Sequence, residues 1–391
     1  MLRHLRPHLD ADLLILGGGL AGLSLASALA RRGYQGRVQV LEPRTAYEDD
    51  RSWAFWARDG HLQAEEAEQH WRSWQVGVVD RSPKQCAAPG WRYCYVRSAR
   101  VYAAAQRQIE ASDRITLRLG CPATGLHAVG DALRVDTAEG PLFATQVVDT
   151  RPPSAERRAR SGLLQVFAGR ELESERDLFA ADSVELMTDL RCDAQGLVFS
   201  YVLPLSPRRA LVEATRFATT PLPQSVLETD LDALIAARGW TSASTLRREY
   251  AVLPMGLPDP AALPVGAVRA GVAAGGLRAA SGYGFLRIRS WAERCAIAIT
   301  SDGSAVGHPP EPPLRRWMDA LFLQVLRREP ERAPELFLRL ASRVRGGAFV
   351  RFMSDCASAA DCARVVAALP PAPFLRALWA GLTPPVVKGQ H

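Results

Sequence analysis

One carboxyl group lies in a segment where burying a charge is costly. Glu213 belongs to GLVFSYVLPLSPRRALVEATRF (residues 196–217), in which two runs of alternating apolar residues flank an S-P-R-R turn and predict a β-hairpin. On the second strand Glu213 shares a face with Leu211 and Thr215, whereas Ala214 lies on the opposite face. The position fits either an edge-strand glutamate in solvent or a buried neutral carboxylic acid, which could act as a general acid.

Three glycines near the start of the chain have the spacing of a dinucleotide site. Residues 13–16 (LLIL) predict a buried strand, Gly17, Gly19 and Gly22 follow in G-x-G-x-x-G register, and a helix pattern comes next. These glycines permit a tight turn, close approach of backbone to a pyrophosphate and tight helix packing, and the helix N-terminus attracts phosphate. The following strand ends at Glu42, where a carboxylate accepts hydrogen bonds from ribose hydroxyls.

The continuation of the chain favours FAD as the dinucleotide. Instead of regular βα repeats, EDDRSWAFWARDGH (residues 48–61) follows and places two tryptophans and a phenylalanine within four residues. This resembles a flavoprotein in which a substrate sheet interrupts the dinucleotide domain. A late return to the flavin is predicted at RAGVAAGGLRAASGYGF (residues 269–285), since a glycine-rich approach to a helix suits a negatively charged flavin edge, although a packing turn has the same composition.

The remaining segments complete the predicted fold. Residues 141–151 predict a strand that ends at Asp149, an acid that fits either a ligand contact or a cap, and helical periods begin at about residue 312. The predicted fold class is α/β: a Rossmann-type FAD-binding domain interrupted by an inserted β-sheet substrate domain, with a C-terminal helical cap. We expect the FAD-binding domain at 1–75, 96–160 and 262–311, the substrate domain at 76–95 and 161–261, and the cap at 312–391.

Composition and charge exclude several classes of protein. The 391 residues are 48% hydrophobic, as in ordinary globular proteins, and 48 basic against 41 acidic residues give a net charge of +7. The basic residues are scattered, which does not indicate nucleic-acid binding and fits either a solvated, arginine-rich exterior or weak attraction to an anionic membrane. Seven cysteines without C-x-x-C spacing and seven histidines without a ligand pattern predict neither disulfides nor a metal site. No secretion signal is predicted, so we expect a cytoplasmic protein.

These segments together resemble the bacterial lycopene cyclases of the flavoprotein type, over nearly the full length. The glycine opening is common to many flavoproteins, but the order of the later segments is far more specific. They are DRSWAFW (50–56), LQVFAG (164–169), YVLPLSPRRALVEAT (201–215), EYAVLPM (249–255), SGYGF (281–285), and FVRF (349–352), which leads to AALPPAPF (367–374).

The resemblance implies a reaction without net redox change. A carboxylic acid protonates the terminal double bond of a linear carotene such as lycopene, a neighbouring double bond attacks the cation, and loss of a ring proton leaves a β-ionone ring. FAD is required in its reduced form, with NAD(P)H as the reductant. Glu213 matches the first acid of the family's acidic motif and is the predicted proton donor. The predicted substrate-binding residues are Trp53, Phe55, Trp56 and Phe352.

The implied cofactor site extends beyond the glycine opening. The predicted cofactor-binding residues are Gly17, Gly19, Gly22, Glu42, Arg51, Asp149, Gly275, Gly276, Gly282 and Tyr283. Because a carotene resides in the bilayer, we expect peripheral association with the inner face of the membrane through the basic surface and the arginine-rich C-terminal helices.

The chain departs from the family pattern at three positions. Ala214 stands where a second acid is usual, Ala279 where proline is common, and Ala251 where glycine is common. Two other functions on the same scaffold stay open: a redox flavoenzyme, such as a monooxygenase or a reductase of prenyl chains, and a non-catalytic carrier of a polyprenyl ligand. A redox enzyme would consume NAD(P)H in proportion to product, whereas a carrier would be expected to lose the cofactor motif, which is intact here.

Overall fold

The computed structural model describes residues 8–61 and 66–382. Its strands are β1 Ala11–Leu16, β2 Val38–Leu41, β3 Ser52–Arg58, β4 Gln69–Trp71, β5 Ser73–Val78, β6 Lys84–Ala87, β7 Trp91–Arg97, β8 Ile115–Arg118, β9 Gly125–Val129, β10 Ala132–Thr137, β11 Gly140–Asp149, β12 Leu163–Glu173, β13 Val184–Asp193, β14 Gly196–Ser206, β15 Arg209–Ala218, β16 Ser244–Met255 and β17 Ala267–Arg269. Its α-helices are α1 Leu20–Arg31, α2 Ser98–Glu110, α3 Ala155–Ala159, α4 Gln224–Ala237, α5 Phe285–Asp302, α6 Pro313–Arg328, α7 Ala333–Arg343, α8 Gly346–Met353, α9 Ala359–Ala368 and α10 Pro371–Leu382.

The first sheet is the predicted dinucleotide-binding sheet. Its order is β8-β2-β1-β11-β10-β9, with β17 also paired to β11, and the pairings among β8, β2, β1, β11 and β17 are parallel. Helices α1, α2 and α5 supply the apolar side chains that cover Leu13 and Ile15, while Leu14 and Leu16 pack with β10 and β11. Because β1 is buried on both faces, its sequence is a continuous apolar run.

The second sheet carries Glu213. Its order is β16-β12-β15-β14-β13-β5-β6, and it is antiparallel except where β13 pairs with β5. One face packs against α4 and the other against the C-terminal helices, so each strand alternates between two apolar layers. A third, small sheet, β3-β7-β4, lies beside it and contributes Trp56, Tyr93 and Tyr95 to the layer under the C-terminal helices.

The C-terminal helices α6–α10 form the predicted cap. Ser358 and Asp361 make a capping box that starts α9, and proline occupies the first turn of α6, where a missing N–H costs nothing. Arg278, almost fully buried, joins the cap to the late glycine-rich loop: it forms a bidentate ion pair with Asp319 of α6, at 3.0 and 3.1 Å, and donates to the carbonyl of Phe352 on α8. The predicted fold class is confirmed, including the helical C-terminus.

Candidate active site

The turn between β1 and α1 needs glycine at two of the three predicted positions. Gly17 has φ of +99°, in the left-handed region that side chains rarely adopt. A Cβ at Gly22 would overlap the carbonyl oxygen of Gly17, so only glycine lets the first turn of α1 pack against the strand end. These two residues therefore fix the angle at which the helix leaves the sheet.

The N-terminus of α1 faces open space. Its N-cap is Gly19, which supplies no side chain to bond the first N–H groups, and a Cβ placed there would meet no atom within 4 Å. Unpaired N–H groups and the positive end of the helix dipole favour an anion at this point. The arrangement suits a pyrophosphate.

Glu42, at the end of β2, is buried directly beside this turn. Its carboxylate accepts from the Gly18 N–H at 2.6 Å and from the backbone and Nε of Arg44 at 3.0 and 2.7 Å. The guanidinium of Arg44 in turn lies over the rings of Tyr47 and Tyr102. These contacts hold the acid rigidly next to the glycine turn, where the sequence predicted it.

The two other polar cofactor candidates have partners within the protein. Asp149, buried at the end of β11, accepts from the Nε and N–H of Arg151 at 2.9 and 3.2 Å, and Arg269 lies 3.6 Å away. Arg51 is half exposed and donates to Asp50, with its Nε at 3.1 Å. Their contacts stabilise the loops that follow β11 and precede β3, and their role toward a cofactor stays a prediction.

The late glycine-rich loop supplies a second helix N-terminus. Gly275 has φ of +84°, and a Cβ on Gly276 would stand 2.5 Å from the Gly271 carbonyl oxygen, so the loop closes tightly on itself. Helix α5 then begins after Gly284, again without a side-chain cap. The loop is held from outside by His308, whose Nε2 accepts from the Gly271 N–H at 3.1 Å and whose pKa burial lowers to about 4.

A cavity of about 440 Å³ lies between the second sheet and the cap. This volume is within the range of small-molecule sites, about 300–1,000 Å³. Its walls are predominantly aromatic and aliphatic, and residues of the late glycine-rich loop form part of the lining. The aromatic side chains that line it are Trp53, Tyr93, Phe167, Phe199, Tyr201, Phe217, Tyr283, Phe285, Trp317, Phe322, Phe337, Phe349, Phe352 and Phe374.

Glu213 lies in the wall of this cavity with 7% of its surface exposed. Burial raises the pKa of its carboxyl group well above the usual range, the charge of Glu249 raises it further, and Arg247 opposes both. Within the described ranges, no group donates a hydrogen bond to the Glu213 carboxyl. A carboxyl group in this situation holds its proton at neutral pH and can donate it into the cavity.

Ala214 does not face the cavity. It lies on the opposite face of β15, in the apolar layer formed with α4, where Val212, Leu227 and Leu231 are its neighbours in the same cluster. An acid at this position would be buried under the helix. The departure from the family pattern therefore removes no carboxyl group from the cavity wall.

The predicted aromatic residues divide into two groups. Trp53 and Phe352 line the cavity, as do Gly282 and Tyr283 of the late loop. Phe55 lies outside the lining, stacked on Phe285 at 4.7 Å between ring centroids. Trp56 also lies outside it, packed between Trp74 and Tyr93 at 4.5 Å from each. The structure thus brings two of the four predicted substrate residues to the cavity.

Several residues at the site were not predicted from the sequence. The hydroxyl of Tyr93 bonds the hydroxyls of Tyr201 and Tyr283 at 2.9 and 3.1 Å. Tyr93 therefore connects the small sheet to the second sheet and to the late loop. The others are Ser52, Gly169, Arg247, Glu249, Arg278 and His308. A second acid in an alternating strand, Glu249, was the available signal, but nothing local in the sequence pairs it with Glu213.

The residues present fit FAD. Two helix N-termini without side-chain caps, one with open space before it, suit the anionic groups of the cofactor. A Cβ on Gly282 would stand 2.9 Å from Gln165 Oε1, so the late loop approaches the second sheet as closely as a glycine allows. A flavin bound along this loop would lie next to the cavity that contains Glu213.

Comparison with known proteins agrees with this geometry. The lycopene cyclase protein family model matches residues 12–379. The lycopene beta-cyclase of Paracoccus sp. (strain N81106 / MBIC 01143) is 27% identical, covering 93% of this chain and 95% of the relative. That of Pantoea ananas is 25% identical, covering 97% and 99%.

Solved structures share the fold at low sequence identity. A geranylgeranyl bacteriochlorophyll reductase-like protein from Thermoplasma acidophilum has a TM-score of 0.61 at 13% identity, covering 94% of this chain and 98% of the other. A flavin-dependent brominase has a TM-score of 0.59 at 14% identity, covering 95% and 98%. With a family match over residues 12–379, which contain nearly all of the three sheets and the cap, the chain belongs to the lycopene cyclase family.

Proposed function

We propose that this chain is a lycopene β-cyclase, an isomerase that closes the linear end of lycopene into a β-ionone ring. The observation that carries the proposal is Glu213, a buried carboxyl group without a hydrogen-bond partner in the described chain, set in an apolar cavity. Protonating an unactivated alkene needs a neutral acid where water does not compete for the proton. The names of the curated relatives support the same reaction.

The proposed cofactor is FAD, active in its reduced form and reduced by NAD(P)H. Gly17, Gly19, Gly22 and Glu42 would hold its adenosine and pyrophosphate, and the loop with Gly275, Gly276, Gly282 and Tyr283 would hold its flavin end; Arg51 and Asp149 complete the proposed set. Reduced FAD held by these residues would supply negative charge and would pass no electrons to the product.

The chain's own residues perform the proton chemistry. Glu213 gives its proton to one carbon of the terminal double bond, and the neighbouring double bond then attacks the cation and forms the ring bond. A ring carbon next loses a proton, for which the Glu213 carboxylate left by the first step is the available base, so the acid is restored and the product has the same composition as the substrate. Because one proton is added and one is lost, the reaction consumes no net acid and no reductant.

The cavity wall stabilises positive charge while excluding water. Trp53, Tyr283 and Phe352 line the cavity and can present π faces to a cation, an interaction that strengthens when water is absent. Phe352 already has this relation with Arg278, whose guanidinium carbon is 4.2 Å from the ring centroid. We assign Phe55 and Trp56 to the support of this wall, through Phe285 and Tyr93 respectively.

We also propose the division of the chain stated above: FAD-binding domain at 1–75, 96–160 and 262–311, substrate domain at 76–95 and 161–261, and cap at 312–391. The two large sheets support this division in outline, but the boundary at 75/76 falls inside β5, whose pairing with β13 places the whole strand in the second sheet, and the boundary at 95/96 falls inside β7. The small sheet contacts both, because β3 and β7 contribute side chains to the clusters under α5 and under the cap.

We propose that the substrate enters from a membrane surface on which the protein lies at the cytoplasmic side. None of the described helices combines the length and apolar composition needed to cross a bilayer. Three cavity-lining side chains, Trp317, Val366 and Leu375, are also more than half exposed; together we call them the apolar rim. Arg316, Arg364 and Arg376 are exposed beside them, and such an apolar surface with basic residues suits anionic lipid.

Pigment analysis tests the reaction. In cells that accumulate lycopene, the wild-type chain is expected to produce one-ring or two-ring β-carotenes, and Glu213→Gln is expected to leave lycopene unchanged at equal flavin content. A flavin-loaded wild type that leaves lycopene unchanged, or that consumes NAD(P)H in proportion to product, would refute the proposal and favour a redox flavoenzyme.

Flotation with liposomes tests the membrane surface. The wild type is expected to float with anionic vesicles, and Leu375→Asp with Val366→Asp to reduce the bound fraction. Ile297→Asp is the matched control, since Ile297 is exposed on α5 and does not line the cavity. Equal flotation of all three proteins would contradict the assignment of the rim.

A further inference from the structure

Four residues of the second sheet stand side by side in one row across neighbouring strands. In the register of β16, β12, β15 and β14, Glu249 pairs with Gly169, Gly169 with Glu213, and Glu213 with Tyr201. Paired residues of antiparallel strands lie on the same face. The two acids thus flank a glycine, one strand away on each side.

Gly169 leaves the space that Glu213 occupies. A Cβ on Gly169 would stand 2.9 Å from Glu213 Cγ and 3.7 Å from its Cδ. The Glu213 side chain therefore leans across β12, over the position where any other residue would project. This direction brings its carboxyl group toward Glu249 on the far side of the glycine.

Glu249 is the member of the pair whose contacts favour the ionised form. It is 4% exposed; its Oε1 accepts from the Ser52 hydroxyl at 2.8 Å, its Oε2 from the Ser52 N–H at 3.2 Å, and it forms an ion pair with Arg247. Burial raises the pKa of Glu249, and Arg247 and Ser52 offset only part of this rise. Glu213 has none of these donors, so when two nearby carboxyl groups compete for one proton, Glu213 takes it.

The other ionisable groups around Glu213 do not replace this charge. Arg247 is shared among Glu249, Glu171 and Asp49, and Tyr95 accepts from it at 3.0 Å. Tyr201, Tyr93 and Tyr283 face the same region, and their pKa values are all raised by burial, so they are neutral. Arg278 and Asp319, which line the same cavity from the loop and the cap, are paired to each other.

We propose that Glu249 is a positioning residue for the proton donor: its fixed negative charge keeps the proton on Glu213, across the gap that Gly169 leaves open. The inference rests on the proposed cyclase function. It also explains why Ala214 is tolerated, because the second acid reaches the donor from a neighbouring strand rather than from the next residue in the chain.

The test compares two buried acids of the same network. Glu249→Gln removes the charge beside Glu213, while Glu171→Gln removes the fully buried acid that also binds Arg247 but lies opposite Leu211, two residues further along β12 than Gly169. Both variants are purified with flavin loaded. The rate of lycopene cyclisation in liposomes, under reducing conditions, is measured against pH. Since the protonated form of Glu213 is the active one, activity falls as pH rises through its pKa.

Glu249→Gln is expected to move this alkaline fall by about one pH unit or more toward lower pH while leaving the rate at its acidic plateau close to that of the wild type. Glu171→Gln is expected to lower stability without moving the pH at which activity falls. Glu249→Asp keeps the charge and is expected to show most of the wild-type pH profile. An unmoved profile in Glu249→Gln, or an equal shift in Glu171→Gln, would overturn the inference.

A spectroscopic readout separates failure of this inference from failure of the proposed function. The carboxylic C=O stretch of Glu213, assigned by its loss in Glu213→Gln, is titrated by infrared difference spectroscopy in the flavin-loaded protein without substrate. Its midpoint is expected to fall in Glu249→Gln; if that variant does not fold, Ser52→Ala gives a smaller shift in the same direction. An unchanged midpoint in the variant overturns the inference even if the wild type is active. If the midpoint falls as expected but the wild type forms no ring, only the cyclase function is refuted.

Discussion

The cofactor end and the cavity end of the site are built from different parts of the chain. At the cofactor end, glycine backbone and helix N-termini form the surface, and Glu42 bonds to the backbone of the glycine turn and to the neighbouring Arg44. At the cavity end, the surface consists of side chains from the second sheet, the late loop and the cap. The cofactor end therefore tolerates little change at single glycines, whereas the cavity end depends on contacts between segments that are distant in sequence.

The largest expected effect is at the cavity end alone. Glu213→Gln is expected to lower the cyclisation rate by about 10²–10⁴-fold, the usual contribution of a general acid, because glutamine has no proton to give. Flavin content, read from the absorbance spectrum, should be unchanged. Thr215→Val, on the same face of β15, is the matched control and should keep most of the activity. Loss of flavin in Glu213→Gln would show that the two ends are not separate.

A change at the cofactor end should have the opposite pattern, with flavin lost and carotene binding kept. Gly22→Val is expected to abolish flavin binding, because the new side chain would overlap the Gly17 carbonyl and displace α1 from the strand. Activity should be lost with the flavin, whereas the shift of carotene absorbance on binding to the cavity should remain. The measurements are flavin content and carotene titration of the purified protein. Loss of carotene binding together with flavin would contradict the separation.

A third change probes the opposite face of β15. Ala214→Glu is expected to lower the free energy of unfolding by about 3 kcal/mol, because a carboxyl group under α4 must be protonated or pull the helix away. It should not raise the cyclisation rate, since the new acid does not face the cavity. Denaturant unfolding and pigment analysis measure the two effects. A faster enzyme of unchanged stability would place the second acid in the cavity.

The smallest effect concerns the loop that joins the two ends. His308 has its pKa lowered to about 4 from an ordinary 6.5, so the unfolded chain binds a proton there first as pH falls. The contribution of His308 to the free energy of unfolding is fully present above pH 6.5 and falls below it, by about 2 kcal/mol at pH 5. Denaturant unfolding at pH 7 and pH 5 should show a smaller loss in His308→Gln than in the wild type. Equal losses would contradict this role.

The same contrast explains which parts of the site the sequence predicts. Gly17 and Gly22 were found because each acts through its own backbone, and the face of Glu213 followed from strand alternation. Glu249 and Gly169 were not paired with Glu213, because register between strands distant in sequence is set by tertiary packing. Phe55 and Trp56 share a segment with Trp53, but the three diverge into a cavity wall and two packed layers.

Among the described residues that line the cavity, Glu213 is the one carboxyl group without a partner, and the apolar rim is exposed on the cap. A carotene with two identical ends can therefore present only one of them per visit. With entry from a membrane surface as proposed, the molecule would withdraw after the first ring closes, turn round in the bilayer and return with its other end leading. The ratio of one-ring to two-ring pigment would then depend on how fast the one-ring product rebinds compared with how fast it diffuses away. A higher concentration of substrate in the membrane would therefore change the product mixture without any change in the chemistry.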